Sequence, residues 1–167
     1  MQKYLISILV DNKPGVLTHV SGLISRRAFN IESICAGYTE EPDVTRINIV
    51  VSVEDERELD QVETQLAKLI DVIKVVNMSK IPSVKRELVM LKVHVTKENR
   101  AGLLAIVQVF RAKIVDLGKD DMVIELTGEE GKIDALIEVL QDGYEIIEIA
   151  RTGAIALSRG VVPAKDM

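Results

Sequence analysis

Apolar positions in residues 4–10 (YLISILV) run almost unbroken and predict a strand. From about residue 15 to 28 the period changes. Val16, Val20, Leu23 and Ile24 fall on one stripe, so a helix is expected. Residues 30–39 and 45–53 predict two strands; in the second, Ile47, Ile49, Val51 and Val53 alternate with Asn48, Val50 and Ser52. Glu40, Glu41, Pro42 and Asp43 form the turn between them. A second helix is predicted from about 55 to 70 on Leu59, Val62, Leu66 and Leu69, and VIKVVNM (72–78) predicts a fourth strand. The order is βαββαβ.

The same order then recurs. LVMLKVHV (88–95) predicts a strand, and Leu103, Leu104, Val107 and Phe110 predict a helix. KIVDL (113–117) and MVIEL (122–126) predict strands around a turn at residues 118–121. Ile133, Leu136, Ile137 and Leu140 mark a further helix, and EIIEIARTGAIAL (145–157) predicts the closing strand. The fold class is α+β: two ferredoxin-like βαββαβ units, each an antiparallel sheet with two helices on one face. The expected boundaries are 1–80 for the first domain and 81–87 for a linker (IPSVKRE, with a Pro and charges). The second domain is expected at 88–160 and a tail at 161–167. Such a unit leaves one sheet face and its edge strands bare, so pairing with a second copy is expected.

Composition narrows the classes. The chain has 167 residues, 47% apolar and 28% charged, enough for two small cores. Aromatic residues are only 3%, so the cores must be aliphatic. The formal charge is −5 without a long basic cluster, which disfavours nucleic acid and anionic membrane as partners. Cys35 stands alone and has no internal disulfide partner, in keeping with a reducing cytoplasm. The first residues lack a small-residue cleavage site, and no uncharged apolar run approaches 18 residues. A cytoplasmic protein is the expectation.

The turn Asn12-Lys13-Pro14-Gly15 sits between the first strand and the first helix. Asn12 suits such a junction because its side chain can bond nearby backbone. Pro14 fits a helix start, and Gly15 permits an unusual backbone conformation or a close approach. The amides of Gly15, Val16 and Leu17 would point out of the helix N-terminus, where an anion is favoured. The Asn12 carbonyl could accept from an ammonium group, and Val16, Leu17, Ile31 and Ile34 would suit an aliphatic side chain. A free aliphatic amino acid fits that description. So does a plain turn and cap that starts a helix, which is what this spacing usually means. The turn recurs as Asn99-Arg100-Ala101-Gly102, but Asn30 has no counterpart near Leu117.

Other chemistry is weakly supported. His19, His94 and Cys35 have no metal-ligand spacing, and Cys35 in SICAG reads as a small core residue rather than a nucleophile. EDERELD (54–60) suits an acidic helix N-terminus, Arg26 and Arg27 suit a helix C-terminus, and SRG (158–160) suits a strand exit. No GxGxxG follows a strand, and GxxxxGK[ST] does not occur. No metal and no catalytic residue are expected.

With these segments in hand, the first 80 residues resemble an ACT domain, a regulatory module that binds amino acids. VDNKPGVLTHVSGLISRRAFNIESI, DVTRINIVV, LAKLIDVIKVV and ARTGAIALSRG together resemble the small regulatory subunit of acetohydroxyacid synthase, also called acetolactate synthase. The resemblance covers nearly the whole chain. It implies a non-catalytic homodimer that binds a large catalytic subunit, raises its activity and confers feedback inhibition by valine, isoleucine or leucine. Thiamine diphosphate, Mg and FAD would belong to that catalytic partner and none to this chain. The resemblance places Asn12, Gly15, Val16 and Leu17 in the effector loop, with Asn30 and Ile31 contributed across the dimer interface. A stand-alone amino-acid sensor is the alternative. An enzyme using Cys35 and a metal-responsive regulator are further rivals.

Overall fold

A computed structural model describes residues 1–27, 29–163 and 166. The chain divides into two compact units. One holds Met1–Lys85 together with Gly153–Met167, and the other is Arg86–Thr152.

In the first unit β1 (Gln2–Asp11), α1 (Val16–Arg26), β2 (Asn30–Tyr38), β3 (Val44–Val53), α2 (Glu56–Leu66) and β4 (Val72–Asn77) follow the predicted order. Ala28, at the expected end of the first helix, lies outside the described residues. The sheet runs β2-β3-β1-β4, all antiparallel, so β2 is an edge. Strand alternation divides its side chains between two faces. Ile6, Ile8, Val10, Ile47, Ile49 and Val51 turn to one face and form a core with Val16, Val20 and Ile24 of α1 and Leu59, Val62 and Leu66 of α2. The acidic run that opens α2 is a helix cap: the Asp55 carboxylate accepts from the N–H groups of Arg57 and Glu58, both at 2.9 Å.

The other face was expected to be bare, and it is not. Leu5, Ser7, Leu9 and Asn48 are all buried. Leu5, Val76 and Met78 cluster with Ala156, and Val50, Ile81 and Ala154 pack around them. The chain returns to the first sheet after residue 152, and this returning segment supplies part of the cover.

In the second unit β5 (Ser83–His94), α3 (Arg100–Phe110), β6 (Lys113–Leu117), β7 (Asp121–Gly128), α4 (Glu130–Gly143) and β8 (Ile146–Arg151) repeat the pattern, with sheet order β6-β7-β5-β8. Val89, Leu91, Val93, Met122 and Ile124 form its core with Leu103 and Val107 of α3 and Ile133, Leu136 and Leu140 of α4.

Two boundaries differ from expectation. Residues 81–87 are not all linker, because β5 starts at Ser83 and the charged positions there belong to a strand. The closing strand is two. β8 ends at Arg151, Gly153 takes φ +81°, and β9 (Ile155–Ser158) then pairs with β5. A positive φ cannot continue an extended strand, so the apolar alternation of 145–157 is broken at its glycine. The SRG segment is a turn, with Gly160 at φ +92° and Ser158 Oγ donating to the Val162 carbonyl at 3.1 Å. Of the expected tail 161–167, residues 164, 165 and 167 lie outside the described residues.

Candidate functional site

The turn between β1 and α1 is held open from behind. Gly15 is the N-cap of α1 with φ +90° and ψ −15°, and among the described residues no side chain makes a capping hydrogen bond there. A Cβ built on Gly15 would have nothing within 4 Å. The N–H of Val16 reaches the Lys13 carbonyl only at 3.5 Å, and those of Gly15 and Leu17 donate no hydrogen bond among the described residues. Val16 buries its side chain in the core, so its main chain alone faces the turn, whereas Leu17 is 48% exposed. The outcome is a set of unclaimed donors at a helix N-terminus beside an aliphatic side chain, an arrangement whose chemistry favours an anion such as a carboxylate.

Asn12 bonds residues distant in sequence rather than the backbone of its own turn. Its Nδ2 donates to the Pro42 carbonyl at 3.2 Å, and its Oδ1 accepts from Thr45 Oγ1 at 3.1 Å. A carbonyl can only accept, which fixes the amide orientation. Asn12 therefore ties the turn to the β2–β3 connection, reinforced by its own N–H on the Asp43 carbonyl at 2.8 Å. Its Oδ1 keeps a second lone pair for an incoming donor. Thr45 was not singled out as a site residue; the only sequence signal for it was the Asp-Val-Thr-Arg strand entry.

Asn30 and Ile31 open β2 at the far end of the sheet. Asn30 pairs in register with Ser52, whereas the Asn12 tie is made at Thr45. Seven residue steps along β3 separate those positions, about 23 Å at 3.3 Å per residue. One chain thus holds the candidate residues as two separate groups. Asn30 Nδ2 donates to Glu32 Oε1 at 2.8 Å, and Ser52 Oγ donates to the same oxygen at 2.7 Å. These bonds, that from Ser52 first, lower the Glu32 pKa below its ordinary value. Ile31 is half-buried against the first core, and Ile34 is exposed.

The repeated turn in the second unit is built differently. α3 begins at Arg100, immediately after Asn99, so Gly102 lies inside the helix and has no positive φ. Asn99 Oδ1 accepts from the Thr96 N–H at 2.8 Å. A Cβ on Gly102 would stand 2.6 Å from Tyr144 Oη, so a tyrosine hydroxyl fills the space that is open at Gly15. Gly102→Ala is accordingly expected to destabilise the chain by about 1 kcal/mol, overpacking outweighing the usual helical preference for Ala. Urea denaturation of parent, Gly102→Ala and Gly102→Ala/Tyr144→Phe checks this, and the double variant should recover the loss.

The remaining candidates scatter. His19 Nδ1 lies 3.0 Å from Asp71 Oδ2, His94 is in β5, and Cys35 is half-buried in β2. Among the described residues no three His, Cys, Asp or Glu side chains come together as a metal site. A cavity of about 70 Å³ is lined by Leu9, Thr39, Val44, Arg46, Ile73 and Pro163, with Leu9 and Arg46 on the sheet face away from the helices. Among the described residues no helix is long and apolar enough to cross a membrane.

Comparison with known proteins bears on the whole chain. Residues 6–74 match the family described as AHAS small subunit-like ACT domain, and residues 86–160 match the family described as small subunit of acetolactate synthase. A probable acetolactate synthase small subunit of Archaeoglobus fulgidus is 46% identical over 158 residues, covering 95% of this chain and 98% of its own length. The chain belongs to the acetolactate synthase small-subunit family. The acetolactate synthase small subunit of Mycolicibacterium smegmatis is similarly related, 47% identical over 94% of this chain and 91% of that one. The crystal structure of the Thermotoga maritima small subunit superposes with a TM-score of 0.86 at 38% identity, over 97% of this chain and all of that one. The α+β architecture of two ferredoxin-like units, the first an ACT domain, is thus that of a solved small subunit. This chain is the small, regulatory component of a synthase complex rather than its catalytic chain.

Proposed function

We propose that this small subunit binds a branched-chain amino acid at the Asn12–Leu17 turn of a homodimer, activates the large catalytic subunit and confers feedback inhibition on it. The observation that carries the reading is the Gly15 turn, with φ +90°, open space on its Cβ side and unclaimed amides at the start of α1. The effector carboxylate takes those amides, its ammonium group takes the free lone pair of Asn12, and its aliphatic side chain meets Leu17. Thiamine diphosphate, Mg and FAD remain with the catalytic partner.

The separation of Asn30 from Asn12 supports a site shared by two chains. β2 is an edge, and its last residue, Tyr38, pairs with Thr45, the residue bonded to Asn12. Antiparallel pairing of β2 with β2 of a second copy sets the start of one strand beside the end of the other. Asn30 and Ile31 of the partner subunit then arrive at the end of the sheet that carries Asn12 and Gly15. Isologous pairing of this kind is the usual outcome for a dimer with an exposed strand edge.

Calorimetry of the full chain with valine, leucine, isoleucine and serine tests the reading. Binding of valine is expected, with only modest discrimination among the branched-chain ligands, because one methylene is worth about 1–3 kcal/mol. Serine binding more tightly than valine sinks it. Failure to co-purify with a thiamine-dependent synthase would favour a stand-alone sensor instead.

A further inference from the structure

The effector reading puts ligand against β2, and a small subunit must carry that event to the rest of its chain. We propose that Gly153 is a positioning residue for the effector response, coupling β2 of the ACT sheet to the point where the chain leaves the second unit. The inference rests on the reading above.

The chain crosses between the units twice, at 85–86 and at 152–153. On the second-unit side the two crossings are fastened together. Arg151 donates from Nε to Glu87 Oε1 at 2.7 Å and from Nη2 to Glu87 Oε2 at 2.9 Å, and Glu87 is buried. Arg151 Nη1 also meets Asp134 at 3.0 Å. One position on, the Leu88 N–H donates to Thr152 Oγ1 and the Thr152 N–H donates to the Leu88 carbonyl, both at 3.1 Å. A forked guanidinium on a buried carboxylate fixes direction as well as distance, so the two strands leave the unit as a stiff pair.

The next residue is Gly153, at φ +81°. A Cβ there would lie 3.0 Å from Ser33 Cβ and 3.2 Å from Ser33 Oγ, so main chain is seated directly on β2. Only glycine meets both demands, the backbone angle and the approach. Beyond it Ala156 packs on Leu5, Val76 and Met78, its carbonyl accepts from Arg46 Nη1 at 3.4 Å, and the Arg159 N–H donates to the Pro82 carbonyl at 2.8 Å. Ser33 stands just past the register shift that follows Asn30 and Ile31. A bulge leaves a residue unpaired and disrupts the ladder locally, so this end of the strand is less firmly tied to β3 than the run beyond it. A shift of Asn30 and Ile31 toward ligand is therefore felt at Ser33. The glycine seated there has no side-chain rotamer to absorb it, and the covalent path runs on to Thr152 and Arg151.

The test uses the full chain alone and assembled with its catalytic subunit. Gly153→Ala and Ser33→Val each force this contact apart, from opposite sides, and Ser33→Ala leaves it intact. Valine affinity by calorimetry should stay within about threefold of the parent in all three, while inhibition at saturating valine falls below about half in the first two and stays complete in Ser33→Ala. Full inhibition in both Gly153→Ala and Ser33→Val overturns the proposal, as does loss of valine binding in both. If Gly153→Ala does not fold, Ser33→Val decides alone. A parent chain that binds no valine is a different failure, since it removes the effector site itself.

Discussion

Gly15→Asp is expected to abolish the response to valine while leaving the chain folded. The new carboxylate would stand in front of the amides that open α1, where the proposed effector would place its own carboxylate. Two like charges about 4 Å apart in a partly dry site repel by about 4 kcal/mol, on the order of a thousandfold in affinity. The fold should survive, because a Cβ at Gly15 meets nothing within 4 Å. What remains is the strain of a side chain at φ +90°, about 1–2 kcal/mol and least for Asp and Asn. Gly15→Asn therefore separates the two effects: it has the same shape and strain without the charge. Calorimetry and inhibition assays should show the aspartate variant blind to valine and the asparagine variant far less impaired. A synthase assembled with the Gly15→Asp subunit and inhibited at the parental valine concentration would show that the ligand binds elsewhere.

The strands and helices were legible because their apolar periods are clean. In β3 the alternation of Ile47, Ile49 and Val51 is the register of a sheet with one face on the helices, and the stripe of Val16, Val20 and Ile24 is the face α1 buries. The errors arise where one backbone angle outweighs a pattern. Residues 145–157 alternate well enough for a single strand, but Gly153 at φ +81° ends it and sends the chain back to the first unit. The junction 81–87 looked like a linker because charge and Pro82 outweighed the alternation that Ser83–His94 follows as a strand. The repeated Asn-x-x-Gly shows the same limit at the candidate site. In the first unit Pro14 and the left-handed Gly15 delay the helix to Val16; in the second, with Ala101 in place of Pro14, α3 starts at Arg100 and Tyr144 closes the gap. The Asn-to-Gly spacing is identical, and it is the Pro14-to-Ala101 exchange together with the three-dimensional neighbours that distinguishes the open turn from the filled one. Asn12 was legible as a turn residue but not as a tie to Pro42 and Thr45, since both lie some thirty positions away in sequence.

Asn30 separates binding from communication. Asn30→Ala should weaken valine binding roughly 10- to 150-fold, the loss of one or two hydrogen bonds to a charged ligand worth about 1.5–3 kcal/mol. The folded chain should tolerate the change. Asn30 is exposed, and among the described residues its side chain bonds to Glu32, which keeps the Ser52 hydroxyl. If Asn30 serves a site on the partner subunit, ligand and dimer are linked. Valine must then tighten the dimer by the same free energy with which dimerisation tightens valine. In the variant that linkage should fall sharply, because the remaining polar contacts to ligand come from the turn of one chain, and Ile31 of the partner subunit adds only an apolar one. Sedimentation of parent and variant, each with and without valine, measures it directly. An equal shift of the monomer–dimer equilibrium in both would place Asn30 outside the shared site. Its amide would then be a local partner for Glu32 at a strand entry, and the effector would have to draw the two chains together through another part of the β2 edge.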